Sequence, residues 1–310
     1  MRLPFSKNSD DGPARAAYAA LKALPRATAR NMLFIVFNIA FALLFRGAFG
    51  LIFSQTEAEL YSHIVLIPFV SAYFLYSERR VIFSTPGSGA CSGLFFIAAG
   101  FSLFIFGKVL APSLGANDRF SLTMLSAFVF WAGGFLLFYG AQVLRKAAFP
   151  VLFLLFAVPL PDILMENIIY AMQSGSTEAA GALFKIAGVP YFREGFIFQL
   201  PGLNIEVAKE CSGIRSSLSL IITGVIAGRL YLKTFPGRAA LVALALPITL
   251  FKNGLRIAVL TLLGLYVDER LLHGPLHSRG GIPFFILALL FLGLALLGIK
   301  RLEKRKRGRQ

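Results

Sequence analysis

The cysteine at position 211 is the first residue whose type and place suggest chemistry. Cys211 lies in the segment Lys209–Ser217, where a short extended run gives way to a predicted helix. A thiol at a helix N-terminus has its thiolate favoured by the helix dipole, and a nearby cation such as Arg215 adds to that effect. The same pattern also fits a packing cysteine. The other cysteine, Cys91, is predicted to be a small apolar residue in a membrane span, at the opposite membrane face, so no disulfide is expected.

A polar cluster made of Lys252, Asn253 and Arg256 interrupts an otherwise apolar run. A charged side chain at the centre of a membrane-spanning helix costs about 2.5–3.5 kcal/mol on insertion scales, so such residues are functional by default. Asn253 and Arg256 are three positions apart and share one helix face. Arg256 lies roughly 15 Å from the predicted outer end of its helix, within reach of a cavity that opens outward. A structural hydrogen-bond node or a snorkelling arginine is the alternative interpretation, and Lys252, one turn deeper, is ambiguous.

Two histidines, His273 and His277, are four positions apart in a polar loop. This spacing suits zinc when it falls on a helix, but Gly274 and Pro275 break the helix, and the sequence has no HExxH motif. No metal and no cofactor are therefore expected. His277 is then either a surface histidine in a wet loop or a residue that takes and gives a proton.

The elements that position these residues follow from composition. The chain has 310 residues, of which 57% are hydrophobic and 15% are charged, and its mean hydropathy is +0.73. Soluble domains carry about 25% charged residues, so a soluble domain is excluded, and a disordered chain is excluded more firmly. Long apolar runs predict an all-α polytopic membrane protein with about eight transmembrane helices. The predicted spans are residues 32–53, 61–76, 90–111, 122–140, 147–160, 212–232, 239–266 and 283–299.

The distribution of positive charge predicts the orientation. The net charge is +16, with six basic residues in the first 31 positions and seven in the last eleven. Basic segments beside apolar spans are typical of cytoplasmic ends, and the predicted inner loops are richer in Lys and Arg than the outer ones. The lipid bilayer, and not nucleic acid, is therefore the expected partner of this charge. The predicted domains are a basic cytoplasmic segment at 1–31, a transmembrane domain at 32–299 and a basic cytoplasmic tail at 300–310.

One long outer segment, residues 161–211, is predicted between the fifth and sixth spans. Its residues 162–188 form a polar amphipathic pattern that predicts a small extracytoplasmic helix, too hydrophilic to span. Alternating runs at Phe196–Leu200 and Leu203–Val207 flank a Pro-Gly pair, which predicts a short β-hairpin before Cys211.

The predicted topology brings three separated residues to the outer half of the membrane: Cys211, Arg256 and His277. A cysteine nucleophile, a histidine that transfers a proton and an arginine that stabilises an oxyanion form a complete set for acyl transfer. Such sets are defined by geometry and not by order in the chain. An acyl-transfer site is therefore the hypothesis to test in the structure.

Three motifs carry these residues: Cys211–Ser216, Asn253–Ile257, and His277 followed by Gly281. In this order and topology they resemble the motifs of the exosortase/archaeosortase family of integral-membrane sorting enzymes. The resemblance covers about residues 55–300. It includes three upstream segments that are similar to the family's patterns, namely Tyr61–His63, Phe149–Pro161 and Gly188–Pro190.

The resemblance implies roles residue by residue. Cys211 matches the family's proposed nucleophile, Arg256 its invariant arginine and His277 the histidine of its H-x-x-x-G pattern. His273 does not fit, because its fourth follower is not glycine. Ser278 stands where the family commonly has an acidic residue, which is a departure from the pattern. The supporting or substrate-binding positions implied by the match are Ser212, Gly213, Arg215, Asn253 and Gly281.

The function implied by the resemblance is that of a membrane-embedded cysteine protease or transpeptidase of the bacterial cytoplasmic membrane. Its expected partners are membrane-anchored secreted proteins with a C-terminal sorting signal: a short motif such as Pro-Glu-Pro, a transmembrane helix and a basic cluster. The basic cluster keeps the substrate tail inside, so the scissile motif lies at the outer face. A thioester at Cys211 is then resolved by an acceptor amine, whose identity the sequence does not give, or by water.

Two other classes of function remain open from the sequence. A transporter or flippase for an anionic substrate would use Lys252, Asn253 and Arg256 to line its path, and it predicts that Cys211 is dispensable. Such folds commonly contain inverted repeats, and the sequence shows none. A structural scaffold of a polysaccharide export system would leave the three motifs without a role.

Overall fold

The computed structural model describes residues 26–50, 62–85, 87, 89–209, 213–268, 270 and 281–307. The chain separates into two compact units, Met1–Pro161 and Asp162–Gln310, and each contains its own hydrophobic core. Cys211, Ser212, His273 and His277 lie outside the described residues.

The first unit is helical. Its helices are α1 (Arg26–Leu44), α2 (Leu66–Ser77), α3 (Arg79–Ile82), α4 (Ala90–Leu110), α5 (Ala116–Lys146) and α6 (Ala148–Phe153). Short 3-10 helices at Ser62–Val65, Ala111–Ser113 and Leu154–Ala157 adjoin α2, α4 and α6.

Aromatic side chains form much of the core of the first unit. Phe34 of α1 packs edge-on against Tyr139 of α5, with ring centroids 5.1 Å apart, and Phe135 of α5 is buried beside them. Two polar groups tie the same helices together, because the indole Nε1 of Trp131 donates to the side-chain oxygen of Asn38 at 3.0 Å. Hydrogen bonds of this kind fix helix pairs in an apolar environment, where no hydrophobic force selects one packing over another.

In its described residues, the second unit contains a small sheet and four helices. Its elements are α7 (Asp162–Ile186), β1 (Phe192–Glu194), β2 (Ile197–Leu200), β3 (Leu203–Glu206), α8 (Ile214–Tyr231), α9 (Phe235–Tyr266) and α10 (Gly281–Arg307). The predicted polar helix at 162–188 is confirmed as a helix by α7.

The predicted β-hairpin is confirmed. Strands β2 and β3 pair antiparallel with Leu200 opposite Leu203, and Gly202 in the two-residue turn has a φ of +81°. Proline fixes a negative φ at the first turn position, and the second position then requires the positive φ that glycine adopts at no steric cost. The structure adds a third strand, β1, which pairs antiparallel with β2.

The membrane-spanning character of the chain is confirmed, but the predicted number of eight spans is not. Among the described residues, four helices are long and apolar enough to cross a bilayer, and these coincide with predicted spans: α4, α5, α9 and α10. The segment Ala148–Ala157 taken together with α7 meets the same criterion as either a broken span or a re-entrant loop, so the number of spans is four or five. The expectation that the helix at 162–188 is too hydrophilic to span is therefore not confirmed.

The other predicted spans are short or interrupted in the structure. A spanning helix needs about 17–25 residues; α2 has 12 and is too short, whereas α8 has 18 and is not among the apolar candidate spans because of its polar residues. Helix α1 has 19 residues, and a turn at Phe45 interrupts the run predicted as 32–53. The apolar pattern therefore overestimated the continuous helix near α1 and α2, and the apolar character of α8. The protein is a mostly helical, multi-pass membrane protein.

The sheet packs on the second half of α7 and on α9. Phe198 of β2 is fully buried, with its ring 5.2 Å from that of Phe184 on α7. Val207, which follows β3, and Ala258 of α9 complete this core. A separate apolar cluster joins α8, α9 and α10, and its buried members are Leu220, Leu232, Leu241, Ala245, Ala288 and Leu292. Val207, before position 211, is thus packed in the sheet core, and Leu220, after it, is packed between helices.

The turn between α8 and α9 is held by the C-terminal helix. The carboxylate of Glu303 on α10 accepts the backbone N–H groups of Lys233 at 3.1 Å and Thr234 at 3.0 Å, and also the Thr234 hydroxyl. The Thr234 hydroxyl oxygen accepts in turn from the N–H of Gly237, which caps the start of α9. Charge-assisted bonds of this kind are among the stronger hydrogen bonds in proteins.

Candidate active site

The polar cluster predicted in α9 lies inside the second unit. Lys252 is 3% exposed and Asn253 is fully buried, while Arg256, about one turn further along the helix, is half-buried. Helix α9 is one of the four candidate membrane spans. Buried charge and buried amide groups at such a position are costly unless they are partnered, so their contacts define what the cluster does.

Asn253 connects α9 to α7. Its amide nitrogen donates to the hydroxyl of Ser176 at 3.0 Å, and both side chains are fully buried. The hydrogen-bond node considered for Asn253 from the sequence is therefore present. Ser176 was not identified as a site residue, since a serine within a mixed polar and apolar helix carries no distinctive sequence signal.

Gly254, the neighbour of Asn253, allows this contact. A Cβ atom on Gly254 would lie 2.5 Å from the Cβ of Ala179 and 2.9 Å from the backbone nitrogen of Ala180, both on α7. Helices α7 and α9 therefore cross at glycine and alanine, which is how small residues bring helix backbones together.

A substitution at Gly254 tests this crossing. We expect Gly254→Ala to destabilise the protein by about 1–3 kcal/mol through overpacking, although alanine is the better helix former by about 1 kcal/mol. The matched control is Gly298→Ala on α10, where a Cβ would meet nothing within 4 Å; it should be neutral or stabilising. Thermal unfolding of the two variants in detergent measures the difference, and equal behaviour would contradict a close crossing at Gly254.

Gly213 brings the segment of Cys211 into contact with Asn253. Gly213 precedes the first residue of α8 and has a φ of +75°, in the left-handed region. A Cβ added there would lie 3.1 Å from the side-chain oxygen of Asn253. Glycine thus satisfies both the backbone conformation and the space that the Asn253 amide leaves. Gly213 of the first motif and Asn253 of the second are therefore neighbours in the structure.

A second contact joins the same two segments. The ammonium of Lys252 donates to the hydroxyl of Ser216 on α8 at 2.6 Å. The Ser216 hydroxyl donates to the carbonyl of Gly213 at 2.9 Å, and the Ser217 hydroxyl donates to the same carbonyl at 2.7 Å. Lys252, left ambiguous by the sequence, is therefore part of the polar network around the start of α8.

The backbone of Val207, four positions before Cys211, is held by two hydrogen bonds. The N–H of Val207 donates to the carbonyl of Phe196 at 2.9 Å, and the carbonyl of Val207 accepts from the buried side-chain amide of Gln173 on α7 at 2.5 Å. Gln173, one of the polar residues in the helix predicted at 162–188, is 4% exposed. Its bond holds the backbone four positions before Cys211.

The remaining predicted site residues occupy element ends. Arg215 is exposed on the first turn of α8, and Gly281 is the first residue of α10. His63, one of the upstream positions that resembled the family, lies half-buried in the 3-10 helix at Ser62–Val65 of the first unit. Cys91 lies in the first turn of α4 with an exposed side chain.

A cavity in the first unit offers no catalytic group. An apolar cavity of about 280 Å³ lies in the first unit, lined by residues such as Phe41, Met124 and Trp131 and by no titratable side chain. The hydroxyl of Ser71 at its wall is bonded to the carbonyl of Pro150 at 2.7 Å. Within the described ranges, no group of three or more His, Cys, Asp or Glu side chains is arranged to hold a metal ion.

The fold and the site thus define a multi-pass helical membrane protein in which a buried lysine and asparagine of one span contact the start of the helix that follows Cys211. The family model of the transmembrane exosortases matches residues 55–294 of this chain, and the chain belongs to that family. No curated protein and no solved structure matches the chain.

Proposed function

We propose that this protein cleaves the C-terminal sorting signals of secreted, membrane-anchored proteins and transfers the cleaved proteins to an acceptor, with Cys211 as nucleophile. Membership of the transmembrane exosortase family supports a membrane protein-sorting enzyme. The observation that carries the proposal further is the contact of Gly213 with Asn253. Gly213 is two positions after Cys211 and Asn253 is three positions before Arg256, so this proximity supports a site shared by the two motifs.

The proposed reaction begins with attack of the Cys211 thiolate on the carbonyl carbon of the scissile peptide bond. The guanidinium of Arg256 stabilises the oxyanion of the tetrahedral intermediate. His277 gives a proton to the leaving nitrogen as the C–N bond breaks, which releases the transmembrane helix of the signal. The thioester on Cys211 is then attacked by an acceptor amine, which yields a new amide and the free thiol, or by water, which yields a carboxylate.

The proposed orientation places both termini in the cytoplasm and the site at the outer face of a bacterial cytoplasmic membrane. The basic segment at 1–31 and the basic tail at 300–310 support this arrangement, because positive charge is retained on the cytoplasmic side. The transmembrane domain at 32–299, with its outer segment at 161–211, would then receive a substrate whose own basic cluster lies inside.

The geometry favours this function over a transport path. Lys252 and Asn253 would line such a path, yet each has a partner within the protein, Ser216 and Ser176 respectively. These hydrogen bonds join α9 to α8 and α7, so Lys252 and Asn253 are used for helix packing and not for binding a transported anion.

A reporter protein tests the proposal. Its C-terminus should carry Pro-Glu-Pro, an apolar helix and a basic cluster, and it should be produced in cells with and without this protein. We expect a shorter reporter only when the protein is present, and we expect added hydroxylamine to capture the thioester as a reporter hydroxamate. A shortened reporter without hydroxamate would contradict the thioester, and an uncleaved reporter across a panel of natural sorting tails would contradict the cleavage.

A further inference from the structure

Lys252 is a buried cation that the proposed reaction does not use. Its side chain is 3% exposed, which excludes a snorkelling lysine whose ammonium reaches water. Among the described residues it makes no ion pair, and the partner of its ammonium is the Ser216 hydroxyl at 2.6 Å. A buried ammonium is expensive to keep unless it is partnered, so its hydrogen bond to Ser216 indicates its role.

The contact continues as a chain of hydrogen bonds. A serine hydroxyl has one hydrogen, so when its oxygen accepts from Lys252 its own hydrogen is free to point elsewhere. In this structure the Ser216 hydroxyl donates to the Gly213 carbonyl at 2.9 Å. The lysine therefore acts, through one serine, on a backbone carbonyl at the beginning of α8.

That carbonyl belongs to a residue in an uncommon conformation. Gly213 has a φ of +75° and lies two residues after Cys211 in the sequence. Asn253, next to Lys252 on α9, lies so close that a Cβ added to Gly213 would be 3.1 Å from its side-chain oxygen. Two neighbouring residues of one buried helix thus hold the same left-handed turn, one by contact and the other by hydrogen bonds.

We propose that Lys252 is a positioning residue that, through Ser216, holds the left-handed turn at Gly213 and thereby fixes the backbone that presents Cys211. This inference rests on the proposed function, in which Cys211 is the nucleophile. Misplacement of a reacting atom by about 1 Å can cost on the order of 100-fold in rate, so a residue that fixes the turn affects the reaction without touching the substrate.

The chain offers a matched control in the same helix. Ser219 is one turn further along α8 and its hydroxyl donates to the carbonyl of Arg215 at 3.1 Å, the same kind of local bond that Ser216 makes. The contact with Lys252 is what distinguishes Ser216 from Ser219. Ser219→Ala therefore removes a helix hydroxyl without removing the proposed connection.

The test is a double-mutant cycle on the full-length protein in detergent, with Cys91→Ala as background so that Cys211 is the one thiol. The variants are Lys252→Met, Ser216→Ala, their combination, and Ser219→Ala. The first readout is the rate at which N-ethylmaleimide alkylates Cys211. We expect each of the first two variants to lower this rate about tenfold, and the double variant to be no slower than the slower single one.

The second readout is processing of the reporter at varied reporter concentration. We expect Lys252→Met and Ser216→Ala to lower kcat about tenfold with KM little changed, because the substrate is still bound but the thiol is misplaced. Ser219→Ala should match the background protein in both readouts. If Lys252→Met fails to insert into the membrane, the comparison of Ser216→Ala with Ser219→Ala still tests the proposal.

Additive losses in the double variant, or equal effects of Ser216→Ala and Ser219→Ala, would overturn the inference. A rise in KM alone would also overturn it, since it would indicate a role in substrate binding. Failure of the proposed function is a different result: the reporter would remain uncleaved by the background protein, while the alkylation cycle, which needs no substrate, would still decide the role of Lys252.

Discussion

Replacement of Cys211 by alanine should abolish processing of the reporter, with a loss in rate of roughly 1,000-fold or more. The reason is that no other group in the proposed mechanism forms the covalent intermediate, so the reaction loses its first step and not merely its efficiency. The measurement is the ratio of shortened to full-length reporter on a gel, at matched abundance of the two enzyme forms in the membrane.

The other cysteine provides the matched control. Cys91 lies on α4 in the first unit, and Cys91→Ala should process the reporter at the normal rate. Persistence of processing in Cys211→Ala would reduce Cys211 to a packing residue and would contradict the thioester mechanism. Loss of processing in both variants would point to a general effect on folding.

Arg256→Lys should retain normal insertion but lose most activity, by about 100- to 1,000-fold, which is the typical effect of removing one oxyanion donor. Lysine keeps the positive charge but not the planar fork of donors, and its ammonium is a compact point charge on a flexible stem. Lys252, four positions earlier on the same helix, already supplies a cation of that kind. The kcat for reporter cleavage is the quantity to compare.

A second arginine of the same helix is the control for Arg256. Arg238, in the first turn of α9, donates from Nε at 3.0 Å and from a terminal nitrogen at 2.9 Å to the carbonyl of Leu232. Arg238→Lys should leave kcat unchanged, although it removes a guanidinium from α9. Full activity in Arg256→Lys would remove Arg256 from the mechanism, whatever the control shows.

Local patterns in the sequence predicted the elements around the site. The alternation on either side of Pro201–Gly202 identified the hairpin, because a two-residue turn and a period of two leave little choice of register. Four apolar runs of sufficient length to cross a bilayer identified α4, α5, α9 and α10, because a continuous apolar run of this kind needs no periodicity to mark a span. Strand β1, with three residues, is too short to produce such a pattern.

The contacts that assemble the site could not be predicted in the same way. Ser176 and Asn253 are 77 positions apart, and Ser216 and Lys252 are 36 apart. Nothing in the local sequence of α7 or α8 indicates which serine faces α9, since serines recur along both helices and each can bond to its own backbone. Because a charged side chain within a membrane is costly, the sequence indicated that Lys252 and Arg256 are important. It did not indicate which residues they contact.

The hydrogen bonds of Glu303 have a consequence for how α8 can move. At one end α8 is joined to α10, because the turn that follows it donates to Glu303. At the other end it is joined to α9, because Ser216 accepts from Lys252. A helix of 18 residues held at both ends by two different neighbours cannot slide along its axis without breaking one attachment. Admission of a substrate peptide to Cys211 is therefore expected to leave α8 in register, and removal of the basic tail is expected to be tolerated only when the cut falls after Glu303.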